Sequence, residues 1–224
     1  MCGIAGIFDL REQREPDREL LAAMNQTQFH RGPDEGGLHT EPGIGLAHRR
    51  LSIIDLASGQ QPMFSADGNL CVSYNGEIYN FQELRQELRA LGYEFRTHCD
   101  TEVILYAWQA WGAACVQRFR GMFAFGLYDR AARSLFLARD RFGIKPLFYS
   151  VLPDGQLIFG SELKVLKAHP LLPRQLEPRA VEDYFALGYV PEPKTIYHDV
   201  YKLRPGHTML LRHGKPVPAQ QQYW

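Results

Sequence analysis

A cysteine stands at position 2, directly after Met1, and it is the first residue whose place in the sequence suggests chemistry. If Met1 is removed, Cys2 becomes the first residue and carries a thiol and a free α-amino group within a few bonds of each other. Both kinds of group ordinarily titrate near neutral pH, and an N-terminal amine can act as the base for its own side-chain nucleophile. A cysteine at this position can equally be accidental, so its meaning depends on the residues downstream of it.

Cys2 belongs to the first of a series of short motifs that are distributed along nearly the whole chain. They are Cys2–Phe8, His30–Asp34, His48–Asp55, Gln61-Pro62, Tyr74–Asn80, Asp100–Glu102, Gly121–Phe125 and Arg139–Leu147. The first two resemble the opening of class II glutamine amidotransferases, which are N-terminal-nucleophile hydrolases that release ammonia from glutamine. The others resemble the glutaminase domain of asparagine synthetases. A single motif would be weak support, whereas the ordered set with compatible spacing is specific.

The resemblance implies that the Cys2 thiol attacks the side-chain amide of glutamine. That attack creates a tetrahedral oxyanion, which requires preorganised hydrogen-bond donors. The family implies that the side-chain amide of Asn75 and the backbone N–H of Gly76 supply them. Taken alone, Asn-Gly is a common hairpin turn, but Glu77 and the Ile-Tyr-Asn directly after it favour the functional interpretation.

The charged ends of glutamine require two further groups. An arginine offers a bidentate fork to a carboxylate, and Arg50 aligns with the family's arginine for the α-carboxylate. For the α-ammonium, the resemblance implies Asp100 with Glu77 assisting, although Asp100 can also be a plain N-cap of the next helix. Arg49 is expected to point to the opposite face of the strand and into solvent.

Other polar residues receive structural interpretations or stay open. Arg31 and Asp34 lie in a loop that can order the N-terminal cysteine or can be purely structural. Lys145 lies in a Gly-Ile-Lys-Pro segment that lacks the spacing of a phosphate-binding loop. We expect a hairpin connection there, with Lys145 facing a partner domain.

The composition excludes several classes of protein. The chain has 224 residues, of which 45% are hydrophobic and 22% charged, so that disordered, collagen-like and disulfide-scaffold classes are excluded. Its 25 basic and 25 acidic residues balance, which gives no support to nucleic acid as the main partner. No apolar run is long enough for a membrane span. Four scattered cysteines with no CxxC pair favour a reducing, cytoplasmic compartment.

Hydrophobic patterns predict the elements that must position these residues. Strands are expected at 2–8, 43–54, 62–64, 70–74, 122–128, 134–138, 147–151, 157–160 and 207–211, with helices at 17–28, 80–91, 100–111, 162–168 and 178–187. Asp17 should cap the first helix, and Asn80 with Glu83 should form a capping box for the second. A terminal hairpin is expected around His213-Gly214. Serial strands around a helix pair favour antiparallel sheets over a βαβ repeat.

From the resemblance we expect an α+β, four-layer αββα N-terminal-nucleophile fold with two stacked antiparallel sheets. Residues 1–190 should form the glutaminase domain, and residues 191–224 a C-terminal extension that packs on it and leads toward a synthetase domain. That domain carries a Ser-Gly-Gly-x-Asp-Ser loop in asparagine synthetases, and no such run occurs here. We therefore expect either a truncated chain, which we favour, or a separate chain that supplies the acceptor site.

The expected activity is hydrolysis of L-glutamine through a γ-glutamyl thioester, which supplies ammonia for ATP-dependent asparagine synthesis from aspartate. Neither metal nor cofactor is expected for the glutaminase step, and ATP and Mg²⁺ would belong to the synthetase domain. The acceptor could instead be a sugar or another carboxylate, and a non-catalytic scaffold of the same fold is the alternative from another class. We do not expect the chain to bind nucleic acid or a membrane, and the sequence leaves open whether it forms a homodimer.

Overall fold

The computed structural model describes residues 1–11, 13–51 and 59–224, and the strands in these ranges form two antiparallel sheets. The strands are β1 (Gly3–Asp9), β2 (Glu35–Glu41), β3 (Ile44–Arg50), β4 (Met63–Phe64), β5 (Leu70–Ile78), β6 (Gly121–Asp129), β7 (Ser134–Arg139), β8 (Phe148–Val151), β9 (Gln156–Gly160), β10 (Val200–Lys202), β11 (His207–Arg212) and β12 (Gln221–Gln222). Sheet A has the order β10-β8-β9-β1-β3-β2, and sheet B has the order β12-β11-β7-β6-β5-β4.

Helices cover the outer faces of both sheets. The covering helices are α1 (Arg18–Gln26), α2 (Phe81–Ala90), α3 (Thr101–Trp111), α4 (Cys115–Arg118) and α5 (Leu163–Lys167). A further helix, α6 (Pro178–Leu187), is largely exposed, and short 3₁₀ turns lie at Phe29–Arg31 and Gly112–Ala114. One apolar cluster joins α2, α3 and α4 to sheet B, and another joins α1 and α5 to sheet A. A third cluster lies between the sheets. The layer order is therefore αββα, which confirms the predicted fold class.

The apolar core between the sheets explains why the strands at the centre of each sheet are buried on both faces. Phe8 of β1 and Leu46 of β3 pack there with Ala124 and Leu137 from β6 and β7. All seven residues of β1 are buried, because helices cover the outer face and sheet B covers the inner one. Burial on both faces accounts for the continuous apolar runs in the sequence.

Most predicted elements agree with the structure, but one connection and one capping interaction do not. The Gly-Ile-Lys-Pro segment is not the expected hairpin connection, because it joins β7 of sheet B to β8 of sheet A. Asp17 accepts hydrogen bonds from Glu19 N and Leu20 N, as an N-cap should. The predicted capping box at Asn80 is wrong, because this side chain makes no capping hydrogen bond. It accepts from Arg120 N at 2.9 Å and donates to Arg118 O at 3.0 Å, and so joins the start of α2 to the segment before β6. The expected strand 43–54 is observed as β3 up to Arg50, and residues 52–54 lie outside the described ranges.

Residues 191–224 contribute edge strands to both sheets. β10 pairs with β8 in sheet A, while β11 pairs with β7 and β12 with β11 in sheet B. The terminal hairpin expected after His207 is therefore confirmed. The boundary at residue 190 stays a prediction, since these strands add to the sheets without forming a sheet of their own among the described residues.

Candidate active site

A small pocket opens where β1 begins in sheet A and β5 ends in sheet B. Its cavity has a volume of about 160 Å³. Every candidate site residue from the sequence lies on its wall: Cys2, Arg50, Asn75, Gly76, Glu77 and Asp100. These residues come from four separate segments of the chain, and the stacking of the two sheets brings them together.

Cys2 lies immediately before β1, and a hydrogen bond to its backbone carbonyl holds it there. Arg31 Nε donates to the carbonyl oxygen of Cys2 at 2.9 Å, and the same guanidinium bonds Glu162 Oε1 at 2.9 Å. The Cys2 thiol faces Leu51 O at 3.7 Å. Arg31 thus orders the N-terminal residue, which is one of the two roles that the sequence left open. Asp34 assists through its backbone, because its N–H donates to Arg50 O at 3.1 Å.

Asn75 and Gly76 lie inside β5 and do not form a turn. They pair with Ala124 and Phe123 of β6 in a regular antiparallel register. The Asn75 side chain is buried, and its Nδ2 has no hydrogen-bond partner among the described residues. A buried amide donor without a partner is costly, so this nitrogen is a feature that a bound acceptor oxygen would satisfy.

The N–H groups of successive residues in β5 point alternately toward β6 and away from it, and this alternation directs the Gly76 N–H into the pocket. Phe123, opposite Gly76, uses its N–H and C=O toward Asp140 and therefore away from β5. Gly76 thus belongs to a pair without ladder hydrogen bonds, and its own N–H points away from β6. Two residues before it, Tyr74 N donates to Gln61 Oε1 at 2.7 Å, and two residues after it, Ile78 N donates to Asp100 Oδ2 at 2.9 Å.

The pairing of β4 explains why this edge is open. β4 pairs with β5 only at Val72 and Cys71, and in the described part of the chain the edge beyond meets side chains and no further strand. Gln61 and Asp100 each take one N–H, and the Gly76 N–H between them faces the cavity. The residue must be glycine for a packing reason, because a Cβ there would lie 2.2 Å from Met122 O and 2.7 Å from Phe123 Cα.

Asp100 is buried behind this edge and does not act as a helix cap. It precedes α3, but its side chain makes no capping hydrogen bond. Its Oδ2 accepts from Tyr74 Oη at 2.6 Å as well as from Ile78 N. Burial raises the pKa of Asp100, the Glu77 carboxylate adds to that rise, and the two hydrogen bonds oppose it. Burial also raises the pKa of Tyr74 well above its ordinary value, so its hydroxyl stays protonated and remains the donor.

Arg50 and Arg49 occupy opposite faces at the end of β3, as predicted. Arg50 is buried, and its Nη1 donates to Glu35 Oε2 at 3.1 Å. Arg49 is not the solvated side chain that we expected. Its Nε donates to Gly32 O at 3.0 Å, and its guanidinium lies 4.5 Å from the centre of the Phe29 ring. Arg49 therefore secures the loop that contains Arg31, and Arg50 is the arginine that reaches the pocket.

Three pocket residues have no role that the sequence could assign. Tyr74 and Gln61 organise the open edge of β5, and neither shows a local pattern that could reveal this. Lys145 lines the pocket with 4% of its surface exposed. Contrary to our expectation, Lys145 is therefore not exposed toward a partner domain, because its side chain turns into the cavity while Phe142 and Ile144 of the same segment stay exposed.

His48 lies beside the pocket and supports it without facing it. Its Nε2 contacts Tyr74 O at 3.0 Å, and its own carbonyl accepts from Asn25 Nδ2 at 3.1 Å. Burial lowers the pKa of His48 to about 3, and the neighbouring Arg50 and Arg49 lower it as well. The ring is therefore neutral at physiological pH and donates to the Tyr74 carbonyl, which ties β3 to β5.

The arrangement of the two sheets is shared with solved amidotransferases. Glutamine phosphoribosylpyrophosphate amidotransferase from B. subtilis superposes with a TM-score of 0.68 over 99% of this chain and 49% of that chain, at 17% identity. A second structure, described as the allosteric regulatory enzyme of purine biosynthesis, gives 0.69 at 18% identity over 99% of this chain and 49% of that one. At such identities the likeness defines the fold, which is that of the N-terminal-nucleophile amidotransferases.

The family follows from the sequence comparison. The model of the glutamine amidotransferase domain matches residues 1–224, and the chain belongs to this family. Asparagine synthetase [glutamine-hydrolyzing] 1 of Bacillus subtilis is 40% identical over 95% of this chain and 34% of its own length. A putative asparagine synthetase [glutamine-hydrolyzing] 2 of Methanocaldococcus jannaschii is 37% identical over the whole chain and 46% of its own length. The chain thus spans a third to a half of these relatives.

Among the described residues, no helix is both long and apolar enough to cross a membrane.

Proposed function

We propose that this chain hydrolyses L-glutamine to glutamate and ammonia, with Cys2 as the nucleophile after removal of Met1. The observation that carries the proposal is the convergence in one pocket of the Cys2 thiol, the unpartnered Asn75 Nδ2 and the outward Gly76 N–H. A nucleophile and two donors for an oxyanion are the minimum that acyl transfer requires. Met1 lies on the wall of the same pocket, so its removal would both free the α-amine and widen the entrance.

In the proposed first step, Cys2 Sγ attacks Cδ of the glutamine side chain, and the thiol proton passes to the Cys2 α-amine. The carbonyl oxygen becomes an oxyanion that accepts from Asn75 Nδ2 and Gly76 N. The α-amine then returns the proton to the amide nitrogen, the C–N bond breaks and ammonia leaves. A γ-glutamyl thioester remains. Water attacks this thioester with the α-amine as base, the C–S bond breaks, and glutamate and the thiol are released.

The two charged ends of glutamine would be bound by the remaining pocket residues. Arg50 is proposed to hold the α-carboxylate, while Asp100 with Glu77 holds the α-ammonium. Both carboxylates lie on the cavity wall, and Arg50 enters it from the other sheet. These steps use only groups of this chain and water, so we propose no metal or organic cofactor for them.

Asparagine synthesis is our proposal for the use of the ammonia. The similarity to asparagine synthetases supports it, at 37–40% identity over most of this chain. Because the chain spans about a third of the Bacillus subtilis relatives, the acceptor aspartate, ATP and Mg²⁺ would be bound by a synthetase part outside these residues. The four free cysteines of the described residues are consistent with a cytoplasmic enzyme.

Labelling with diazo-oxo-norleucine, an electrophilic glutamine analogue, tests the nucleophile. Intact-mass analysis should show a protein without Met1 that gains one adduct, and Cys2→Ala should gain none. Cys99 also lines the pocket, so Cys99→Ala is the matched control and should label like the wild type. A protein that retains Met1 and takes no label would contradict the proposal.

Substitution of Arg50 tests the proposed orientation of glutamine. Arg50→Lys should raise the KM for glutamine with a smaller effect on kcat, because Arg50 would bind a group remote from the reacting bond. Glu35→Gln removes the ion-pair partner of Arg50 without removing the guanidinium and serves as the control. An unchanged KM in Arg50→Lys would assign Arg50 to structure alone.

A further inference from the structure

The segment from Asp140 to Lys145 reverses the usual distribution of apolar and charged side chains. Phe142 and Ile144 are 72% and 55% exposed, whereas Lys145, which directly follows Ile144, is 4% exposed. Lysine is rarely buried unless it is paired, and a local arrangement that opposes this preference is expected mainly at functional sites. The burial of Lys145 therefore requires a reason beyond packing.

Asp140 fixes the backbone of this segment. Its carboxylate is buried and accepts from the N–H groups of Phe142, Ile144 and Lys145 at 2.9 to 3.1 Å, as well as from Phe123 N at 3.1 Å. Arg139 Nε donates to Lys145 O at 2.8 Å from the other side. The position of Lys145 is thus determined by bonds to its own main chain, and its side chain is free to serve another purpose.

The Lys145 ammonium makes no hydrogen bond or ion pair with any residue of the described ranges, although it faces the cavity that contains Cys2. The other cations around Cys2 already have anionic partners. Arg31 pairs with Glu162 at 2.9 Å, and Arg50 pairs with Glu35 at 3.1 Å. The carboxylate of Asp140 is occupied by four backbone donors, which leaves Lys145 as the cation in this pocket without a partner in the described part of the chain.

The surroundings of Lys145 identify the anion that it can serve. The charged and titratable groups that act on it are Arg31, Cys2, Asp140 and Glu77. Burial lowers the pKa of Lys145, Arg31 lowers it further, and Cys2 in its thiolate form raises it. Arg50 and Asp100 line the same cavity, and the pairing of Gly3 with Arg49 places Arg50 beside Cys2 in sheet A. A thiolate on Cys2 is therefore an anion of the proposed reaction that lines the same cavity as an ammonium without a partner among the described residues.

We propose that Lys145 stabilises the thiolate of Cys2 and so acts as a positioning residue for the nucleophile. This inference rests on the proposed function only in naming Cys2 as the nucleophile. Formation of the thiolate moves one proton from sulfur to the Cys2 α-amine or to water, and the Lys145 ammonium keeps its own proton throughout. In a partly buried pocket, a charge acts on the sulfur with less screening than it would at the open surface.

Alkylation of Cys2 with iodoacetamide tests this role without glutamine. The reagent is neutral and lacks the charged ends of the substrate, so its rate reports on the thiolate and not on substrate binding. In Lys145→Met, the rate at Cys2 at neutral pH should fall by about three- to tenfold, as the loss of a neighbouring positive charge predicts. Lys145→Arg should recover most of the wild-type rate. Lys164→Met, a lysine paired with Glu162 outside the cavity, should leave the rate unchanged.

Two further readouts separate a role at Cys2 from a structural role. At strongly alkaline pH, where thiols are ionised in any case, the rates of Lys145→Met and the wild type should converge. If Lys145 had a structural role, its replacement would lower the melting temperature. Removal of a buried charge without a partner should leave the melting temperature unchanged or raise it. If Lys145→Met does not fold, Lys145→Gln and Lys145→Arg give the same comparison.

The outcomes distinguish this inference from the proposed function. Equal alkylation rates at neutral pH in wild type, Lys145→Met and Lys145→Arg would overturn the role of Lys145, even if diazo-oxo-norleucine labels Cys2. Absence of that label in the wild type would overturn glutamine hydrolysis, while a slower alkylation of Cys2 in Lys145→Met would still support the role of Lys145.

Discussion

The hydroxyl of Tyr74 donates a 2.6 Å hydrogen bond to Oδ2 of Asp100, and both side chains are buried. The two residues are 26 positions apart and come from β5 and the start of α3. The bond fixes one oxygen of the carboxylate on the helix side of sheet B, so that the carboxylate is oriented before any ligand arrives. A charge-assisted hydrogen bond of this kind is stronger than a neutral one.

Replacement of Tyr74 by phenylalanine should impair binding more than chemistry. We expect Tyr74→Phe to raise the KM for glutamine by about tenfold, the effect of losing one hydrogen bond to a charged group, with a small change in kcat. Steady-state kinetics with glutamine measures both constants. Tyr79→Phe is the control, because Tyr79 belongs to the same motif but is 59% exposed.

The pH dependence of the KM for glutamine is a second test of whether Asp100 binds the substrate. Burial raises the pKa of Asp100, so glutamine binding should begin to weaken on acidification at a higher pH than an ordinary aspartate would cause. Tyr74→Phe removes a donor that opposes this rise and should move the onset to higher pH still. Identical KM profiles for wild type and Tyr74→Phe would show that Asp100 does not bind the substrate.

The unpartnered amide of Asn75 predicts separate effects on rate and on stability. Asn75→Ala should lower kcat by about 10²- to 10³-fold, as loss of one oxyanion donor does. The melting temperature should change little, because Nδ2 has no partner among the described residues to lose. Asn80→Ala should show the reverse pattern, since the Asn80 side chain makes two structural hydrogen bonds. Equal rates in wild type and Asn75→Ala would remove Asn75 from the proposed chemistry.

Gly76 is fixed by the approach of the neighbouring strand. Gly76→Ala should lower the free energy of unfolding by about 1–3 kcal/mol, the usual cost of overpacking, because its Cβ would meet backbone atoms of Met122 and Phe123. Urea denaturation measures the change. Gly36→Ala is the matched control, since its Cβ would meet only the flexible end of Arg49 at 2.6 Å. Equal stability of the two variants would mean that β5 and β6 can separate locally.

His48 should make the fold sensitive to mild acid. Its native pKa is about 3 against an ordinary value of 6.5, so below pH 6.5 the unfolded chain gains a proton that the native ring does not. His48 has no effect on the pH dependence above that value, and its effect grows as the pH falls toward 3. By pH 5 the free energy of unfolding should have fallen by about 2 kcal/mol through this residue. Urea denaturation at several pH values should show a shallower decline for His48→Gln, whereas parallel curves would mean that the native ring is protonated.

The parts of the site that the sequence could predict are those carried by contiguous motifs. Asn75, Gly76 and Glu77 stand together in one strand, and the alternation of apolar residues around them predicts that strand directly. Asp17 caps its helix as the sequence indicates, because an N-cap bonds residues two and three positions away. Interactions of this range depend on local spacing, and spacing can be read from one sequence.

The remaining parts depend on contacts between distant segments. Gln61 meets Tyr74 across 13 positions, and Tyr74 meets Asp100 across 26. Tyr74 has the pattern of an ordinary core aromatic and Lys145 that of a turn residue, because the sequence does not show which face of a connection turns inward. The predicted capping role of Asn80 is wrong for the same reason: its partners, Arg118 at the end of α4 and Arg120 just after it, are distant in sequence and form no local pattern with it.

The short β4 strand has a consequence for how the molecule avoids association with other chains. An uncovered strand edge is a template on which a foreign strand can add, and no strand of the described ranges pairs with the second half of β5 on the side of β4. Gln61 and Asp100 occupy the N–H groups on either side of Gly76, so an incoming strand would find one available donor where it needs a row of them. The same two side chains that narrow the pocket to a single backbone N–H would therefore also guard this edge against aggregation.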